Sequence, residues 1–231
     1  MCGIRGIAFD IDQTLWDFHS ARRAALDGVL TALLSRTTVD GPEDRHIDDL
    51  QARYDRLEAA RPASALSAIR RESLHQAAAV AAPGDKTLGD ELGDLYFSIR
   101  HQPGNAFDDA RPALEELSAL GLKLAVVSNG NTSLEALQLS DLFATVVLAP
   151  DVGTAKPEPQ IYSIVEHQLS LAPAALVCVG DDLENDVCAP QRKGWRGIWN
   201  RRDPNQTADG CTPDATVALL TELPAIIEQW L

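Results

Sequence analysis

Apolar residues follow two different rhythms along this chain. Ile4 to Phe9 and the later runs "LKLAVVSN", "ATVVLAP", "ALVCVGD" and "RGIWN" are short, continuous and rich in Val and Ile. That pattern suits strands buried on both faces of a parallel sheet. Between the runs lie amphipathic segments. Arg111 to Leu120 carries Pro112 in its first turn and Gly121 just past its end, and Pro159 to Leu169 places Ile161, Ile164, Val165 and Leu169 on one face. Both read as helices. Strand and helix alternate from about Phe107 onward, which predicts a doubly wound α/β domain.

From Phe18 to Gln102 the rhythm is helical throughout, with Ala, Leu, Arg and Glu abundant. Leu26, Leu30, Leu33 and Leu34 recur at helical spacing, as do Leu50, Tyr54 and Leu57, and then Leu88, Leu92, Leu95 and Ile99. Breaks at Gly41-Pro42, Arg61-Pro62, Pro83-Gly84 and Pro103-Gly104 divide the segment into several helices. Because one strand precedes this insertion and the others follow it, the expected architecture is a Rossmann-like parallel-sheet core interrupted by an α-helical cap. The core takes residues 1–17 and 105–231 and the cap residues 18–104, with hinges at Trp16 to His19 and Gln102 to Asn105.

Composition narrows the partners. The chain has 231 residues, 45% of them hydrophobic, which is enough for a substantial core. A net charge of -14 and a pI near 4.6 exclude a surface for nucleic-acid polymer or anionic membrane, while leaving room for a local site that takes a small anion. Cys2, Cys178, Cys188 and Cys211 show no CxxC pair, and Cys178 lies inside an apolar run as a small buried thiol. The opening residues show no charged-then-apolar pattern and no apolar run approaches the roughly 18 residues that span a bilayer, so an unprocessed chain is the expectation. A soluble cytoplasmic protein, monomeric or homodimeric, is expected.

In an open α/β sheet, ligands bind outside the carboxyl ends of the strands. There the first run delivers Asp10 and Asp12, the second Ser128, Asn129 and Gly130, and the fourth Gly180, Asp181 and Asp182 with Asp186 a turn later. The third leads into a loop containing Lys156, followed by Pro157 and Pro159. So many carboxylates at close quarters call for a cation, and hard oxygen ligands select Mg²⁺. Mg²⁺ bound by carboxylates together with a substrate phosphate points to phosphoryl chemistry.

"DIDQT", "SNG", "KPEP" and "GDDLENDV", in this order, resemble the four motifs of the haloacid dehalogenase-like hydrolase superfamily, and the helical insertion resembles that superfamily's cap. The resemblance covers essentially the whole chain and is nearest to the phosphatase branch. It implies hydrolysis of a small phosphorylated metabolite, with Asp10 as the nucleophile that forms an aspartyl-phosphate and Asp12 as general acid and then base. Ser128 and the Asn129 amide would bind the phosphoryl oxygens, and Lys156 would pair with nucleophile and phosphate. Mg²⁺ would be held by Asp10, by the Asp12 carbonyl and by Asp181, with Asp186 acting from close by. Thr14 would shape the turn toward the cap.

Gln13 and Asp182 depart from the commonest pattern, and the role of Asp182 stays open between a metal-bound water and plain solvent exposure. Ser128 and Asn129 also suit the start of a helix "TSLEALQL". In the cap, His19, Arg22, Arg23, Arg70 and Arg71 are within the set that could reach a substrate, but most of them read as a solvated helix face, and Trp16 and Phe18 read as packing or cleft lining. A phosphomutase, a 2-haloacid dehalogenase and a non-catalytic binding protein are the competing readings. The dehalogenase needs neither Asp12 as acid nor an acidic fourth motif, and the binding protein would be expected to lack Asp10 or Lys156.

Overall fold

The computed structural model describes residues 3–36, 43–60, 66–102, 105–207 and 210–231. Cys2 and the breaks expected at Gly41-Pro42, Arg61-Pro62 and Pro103-Gly104 lie outside the described residues. The chain divides into two compact units, Met1–Asp17 with Gly104–Leu231, and Phe18–Pro103.

The second unit is helical: α1 (Phe18–Arg36), α2 (Glu43–Ala59), α3 (Leu66–Ala81) and α4 (Leu88–Arg100), with Pro83-Gly84 in the turn between the last two. Leu26, Val29, Leu30 and Leu33 of α1 pack with Ile47 and Leu50 of α2, Leu74 of α3, and Leu88 and Leu92 of α4. The buried stripe of α4 differs from its sequence reading. It runs Leu88, Leu92, Tyr96, Arg100, while Leu95 and Ile99 are only partly buried. Tyr96 turns inward because its ring gives a face to the Arg70 guanidinium, which lies 4.9 Å from it and 3.9 Å from the Tyr54 ring. Arg70 is therefore buried, where a solvated face was expected.

The first unit is built on β1 (Gly6–Phe9), α5 (Ala110–Ala119), β2 (Lys123–Ser128), β3 (Thr145–Leu148) and the short α6 (Ala149–Val152). It continues with α7 (Pro159–Leu169), β4 (Leu176–Gly180), α8 (Ala189–Arg192), β5 (Arg196–Asn200), β6 (Ala215–Val217) and α9 (Leu223–Glu228). All pairings are parallel, in the order β3-β2-β1-β4-β5-β6. The order reverses at β1, which sits between β2 and β4, so the crevice of this doubly wound sheet opens at the end of β1.

The central strands are buried on both faces, as their unbroken Val and Ile runs require. On one side, Ala8, Val127, Val147 and Cys178 pack with Ile161, Tyr162, Val165 and Leu169 of α7. Gly121, at φ 81°, takes the left-handed conformation that ends α5, where a residue with a Cβ would be strained.

Three features depart from the sequence reading. β6 was not anticipated: only three residues long, it is recognisable by its pairing with β5 and not by any apolar run. "TSLEALQL" forms turns and no helix. Leu134, Leu137 and Leu139 are all buried, the Leu139 amide bonds the Leu134 carbonyl five residues back, and Gln138 at φ 57° stops propagation. Finally, Cys188 and Cys211 are joined in a disulfide across 23 residues, a separation that carries no CxxC signature. Disulfides persist mainly in oxidising compartments, so this pairing lends no support to the cytoplasmic location expected from the sequence. No described helix is long and apolar enough to cross a membrane.

Ile161 is fully buried between α7 and the sheet. Replacing it with Ala is expected to cost about 2–5 kcal/mol. Urea denaturation should show this as a lower midpoint with an unchanged slope.

Candidate active site

β1 ends at Phe9, which pairs with Val126 and Val179, so the next residue, Asp10, stands level with the ends of β2 and β4. Its amide donates to the Val179 carbonyl at 2.9 Å, carrying the ladder one step past the strand and fixing the carboxylate at the crevice. Lys156 arrives from the other side of β2. Its Nζ lies 2.7 Å from Asp10 Oδ1 and 2.7 Å from Asp186 Oδ1, with all three side chains buried.

The Lys156 loop is held from β2 by a reciprocal pair. The Asn129 side-chain amide donates to the Lys156 carbonyl at 2.9 Å, and the Lys156 amide donates to Asn129 Oδ1 at 2.7 Å. Asn129 is thus a brace between two strand-end loops, a task its sequence position did not reveal. Ser128 is buried, and its Oγ accepts from the Gly130 amide at 3.1 Å.

After β4 the chain makes a π-helical turn, Leu183–Cys188, which the carboxylate of Asp182 caps by accepting from the Asn185 amide at 2.8 Å. Asp182 is exposed, and this cap is a contact that the sequence reading did not consider. The turn points Asp186 back over the strand end, where its Oδ2 accepts from the Asp182 amide at 3.1 Å. A Cβ on Gly180 would lie 2.1 Å from Asp186 Oδ2, so only glycine allows this carboxylate to fold over β4. Trp199 of β5 donates its indole N–H to the Asp181 carbonyl at 2.9 Å.

Carboxylate oxygens of Asp10, Asp181 and Asp186 all lie within 4.8 Å of one another, the only such group of potential metal ligands among the described residues. Three carboxylates against one ammonium leave two negative charges in excess. The protein's response is visible in their proton affinities. Burial, reinforced by the neighbouring Asp186 and Asp12 charges and opposed by Lys156, pushes Asp10 from 3.8 up to about 8. Burial and Asp186 push Asp181 up to about 7, and burial also raises Asp186. Lys156 is held well above its ordinary value, since the two carboxylates outweigh the cost of burying it. Carboxyl groups that resist ionisation for want of countercharge are suited to a hard divalent cation, which would cancel the excess.

Asp12, close enough for its charge to act on Asp10, has hydrogen-bond partners of its own. Its Oδ1 accepts from the Trp16 indole N–H at 2.8 Å and from the Thr132 hydroxyl at 2.7 Å. Trp16 reaches back because the chain reverses at Gln13, whose φ is 63°, and because the Gln13 amide donates to the Trp16 carbonyl at 3.0 Å. Thr14 belongs to this turn, with its carbonyl accepting from Arg202 at 3.2 Å. Thr132 escaped the sequence reading entirely. Nothing about a threonine four residues past Ser128 signals contact with a residue 120 positions away. The expected site residues thus fall into two groups, Asp10, Lys156, Asp181 and Asp186 with Asn129 bracing the lysine in one, and Asp12 and Ser128, which both border Gly130, in the other.

Comparison with known proteins places this arrangement. Residues 4–192 match the haloacid dehalogenase-like hydrolase family. The chain is 32% identical over 206 residues to phosphoglycolate phosphatase of Escherichia coli K12, covering 83% of this chain and 79% of that protein. It is also 32% identical over 151 residues to haloacid dehalogenase-like hydrolase domain-containing protein 3 of Danio rerio, of whose length it spans 62%, with 62% of this chain covered. Among solved structures, a 2-haloacid dehalogenase from Pseudomonas syringae pv. tomato DC3000 superimposes with a TM-score of 0.80 at 29% identity, over 99% of this chain and 100% of that one. With the family match spanning well over half of its length and the four strand-end motifs converging on one crevice, the chain belongs to the haloacid dehalogenase-like hydrolases.

Proposed function

We propose that this hydrolase is a Mg²⁺-dependent phosphatase that cleaves a small phosphorylated metabolite through an aspartyl-phosphate on Asp10. The observation that carries the reading is Asp12: a second carboxylate, two residues past Asp10, held by dedicated hydrogen bonds from Trp16 and Thr132. An alcohol leaving group needs a proton and a departing halide does not, so a fixed acid beside the nucleophile has work to do only in ester cleavage. The resemblance to phosphoglycolate phosphatase supports the same class.

Asp10 attacks phosphorus while the bond to the leaving oxygen breaks, and Asp12 delivers a proton to that oxygen. Asp12, now ionised, takes a proton from water as the water attacks the aspartyl-phosphate, releasing inorganic phosphate and regenerating Asp10. Ser128 and the amide of Asn129 bind phosphoryl oxygens. Lys156, fixed as a cation between Asp10 and Asp186, offsets the repulsion between anionic ester and carboxylate. Mg²⁺ would be held by Asp10, Asp181, Asp186 and the Asp12 carbonyl, supplying positive charge against the developing phosphoryl charge.

The likeness to a 2-haloacid dehalogenase favours a second reading, attack of Asp10 on carbon with loss of halide. A phosphomutase would use the same residues but return the phosphoryl group to another hydroxyl. Both are separated from a phosphatase by product: halide from a 2-haloacid, an isomerised sugar phosphate, or free phosphate.

With p-nitrophenyl phosphate, phosphate release is expected to require Mg²⁺, to stop with EDTA, and to fall by more than about a thousandfold in Asp10→Asn. Activity that survives EDTA or the substitution overturns the mechanism. Asp12→Asn is expected to lower turnover by about 10²–10⁴-fold, and unchanged turnover removes its acid and base role.

The raised carboxyl pKa values predict a pH-dependent effect of the metal on stability. In the unfolded chain these groups ionise near 3.8, whereas in the folded protein Asp10 keeps its proton to about 8 and Asp181 to about 7. The folded state therefore binds more protons across that window, and the contribution of these groups to metal-free stability declines as pH rises through it. Mg²⁺ binds the ionised forms. Saturating Mg²⁺ should raise the thermal midpoint more at pH 8 than at pH 5, measured by scanning calorimetry, and an equal rise at both would contradict the assignment.

A further inference from the structure

Resting on the phosphatase reading, we propose that Trp16 and Thr132 are positioning residues that divide the labour between the two oxygens of Asp12: Oδ1 is the anchored oxygen, and Oδ2 carries the proton that is exchanged with the leaving group and then with water.

The geometry is asymmetric. Both donors, the Trp16 indole N–H at 2.8 Å and the Thr132 hydroxyl at 2.7 Å, converge on Oδ1. Both come from side chains with almost no freedom, Trp16 being 1% exposed and Thr132 2%. The Trp16 backbone is tied further by bridges to Asp12 and to Ala106, and Phe107 donates its amide to the adjoining Leu15 carbonyl at 2.9 Å. A carboxyl oxygen that accepts two hydrogen bonds is a poor place for a proton, because protonating it opposes both donors. The proton is therefore directed to the other oxygen.

That oxygen is placed by a second device. A Cβ on Gly130 would lie 2.6 Å from Asp12 Oδ2 and 3.5 Å from Ser128 Oγ. Oδ2 thus occupies the space that the missing side chain leaves beside the phosphoryl-binding end of β2. With Oδ1 anchored, the carboxyl group is unable to swing away from a Cβ placed there. Glycine at position 130 and the two donors accordingly serve one purpose, an acid whose proton-bearing oxygen stands in one position before substrate arrives.

In the first step the Asp12 Oδ2–H bond breaks as its proton passes to the leaving oxygen, while the Asp10–phosphorus bond forms and the ester bond breaks. In the second, Oδ2 regains a proton from the attacking water as the Asp10–phosphorus bond breaks. The balance needs no other reactant.

The test uses the dependence on the leaving group. Protonation matters most for a poor leaving group, an alkyl alcohol, and least for p-nitrophenol, and kcat/KM reports only the steps through leaving-group departure. In Thr132→Val, kcat/KM for an alkyl phosphate is expected to fall by at least about tenfold more than kcat/KM for p-nitrophenyl phosphate. Slowed hydrolysis of the aspartyl-phosphate should appear as a burst of p-nitrophenol. Thr132→Ser, which keeps the hydroxyl, should restore both. Trp16→Phe, which keeps an aromatic ring but loses the N–H, and Gly130→Ala, which displaces Oδ2, should show the same selective loss.

An equal fall for both esters, or a serine variant no better than valine, overturns the inference. If Trp16→Phe or Gly130→Ala does not fold, the Thr132 pair decides alone. Failure of the phosphatase reading is seen separately, as an unsubstituted protein that releases no phosphate from either ester or an Asp10→Asn variant that still does.

Discussion

The site depends on one buried ammonium. Lys156 Nζ stands 2.7 Å from carboxylates that come from two different strand ends, Asp10 after β1 and Asp186 after β4, on residues 146 and 30 positions away. Burying an ammonium costs several kcal/mol unless partners compensate it, and here each partner is itself a buried carboxyl group whose ionised form needs the lysine in turn. None of the three is stable in place alone. The cluster therefore locks the loop after β3 to the centre of the sheet, and Asn129 completes the lock through its two hydrogen bonds with the Lys156 backbone.

The same cluster is deliberately short of positive charge. One lysine serves Asp10 and Asp186 while Asp181 adds a third carboxylate within 4.8 Å, and burial, reinforced by the neighbouring carboxylate charges, raises Asp10 and Asp181. A site with full countercharge of its own would attract a divalent cation less strongly. On the proposed reading, bound Mg²⁺ would supply the missing positive charge. Asp12, by contrast, is oriented by two neutral donors, the Trp16 indole and the Thr132 hydroxyl.

Much of this was legible beforehand, and the legible part has a common cause. Strands β1, β2 and β4 announce themselves because strands buried on both faces must be continuously apolar, and α7 because its inner face must match the sheet it covers. Asp10 and Asp181 were recognisable because ionisable residues directly after buried strands lie where the sheet presents them to a ligand, and Lys156 because it stands before the Pro157 and Pro159 bend in the loop that follows the third run. What was hidden was relational. Thr132, the brace made by Asn129, the cap made by Asp182 and the Cys188–Cys211 disulfide all involve residues whose types are ordinary in loops. β6 has only three residues and no apolar run, and Arg70 is buried because two aromatic rings enclose it.

By itself the sequence determined the two rhythms of the chain, a parallel α/β core and a helical insertion, and the supply of carboxylates and one lysine at the strand ends. Burial periodicity and chain order are local properties, and they are enough for that. Only the tertiary structure decided which oxygen meets which donor: that Lys156 is shared between Asp10 and Asp186, that Asp186 folds over the bare Cα of Gly180, and that both anchors of Asp12 fall on one oxygen. Those choices are made at distances below 3 Å between residues as much as 146 positions apart. At that scale hydrogen-bond direction and the presence or absence of a single Cβ decide the outcome, and no periodicity in the chain encodes them.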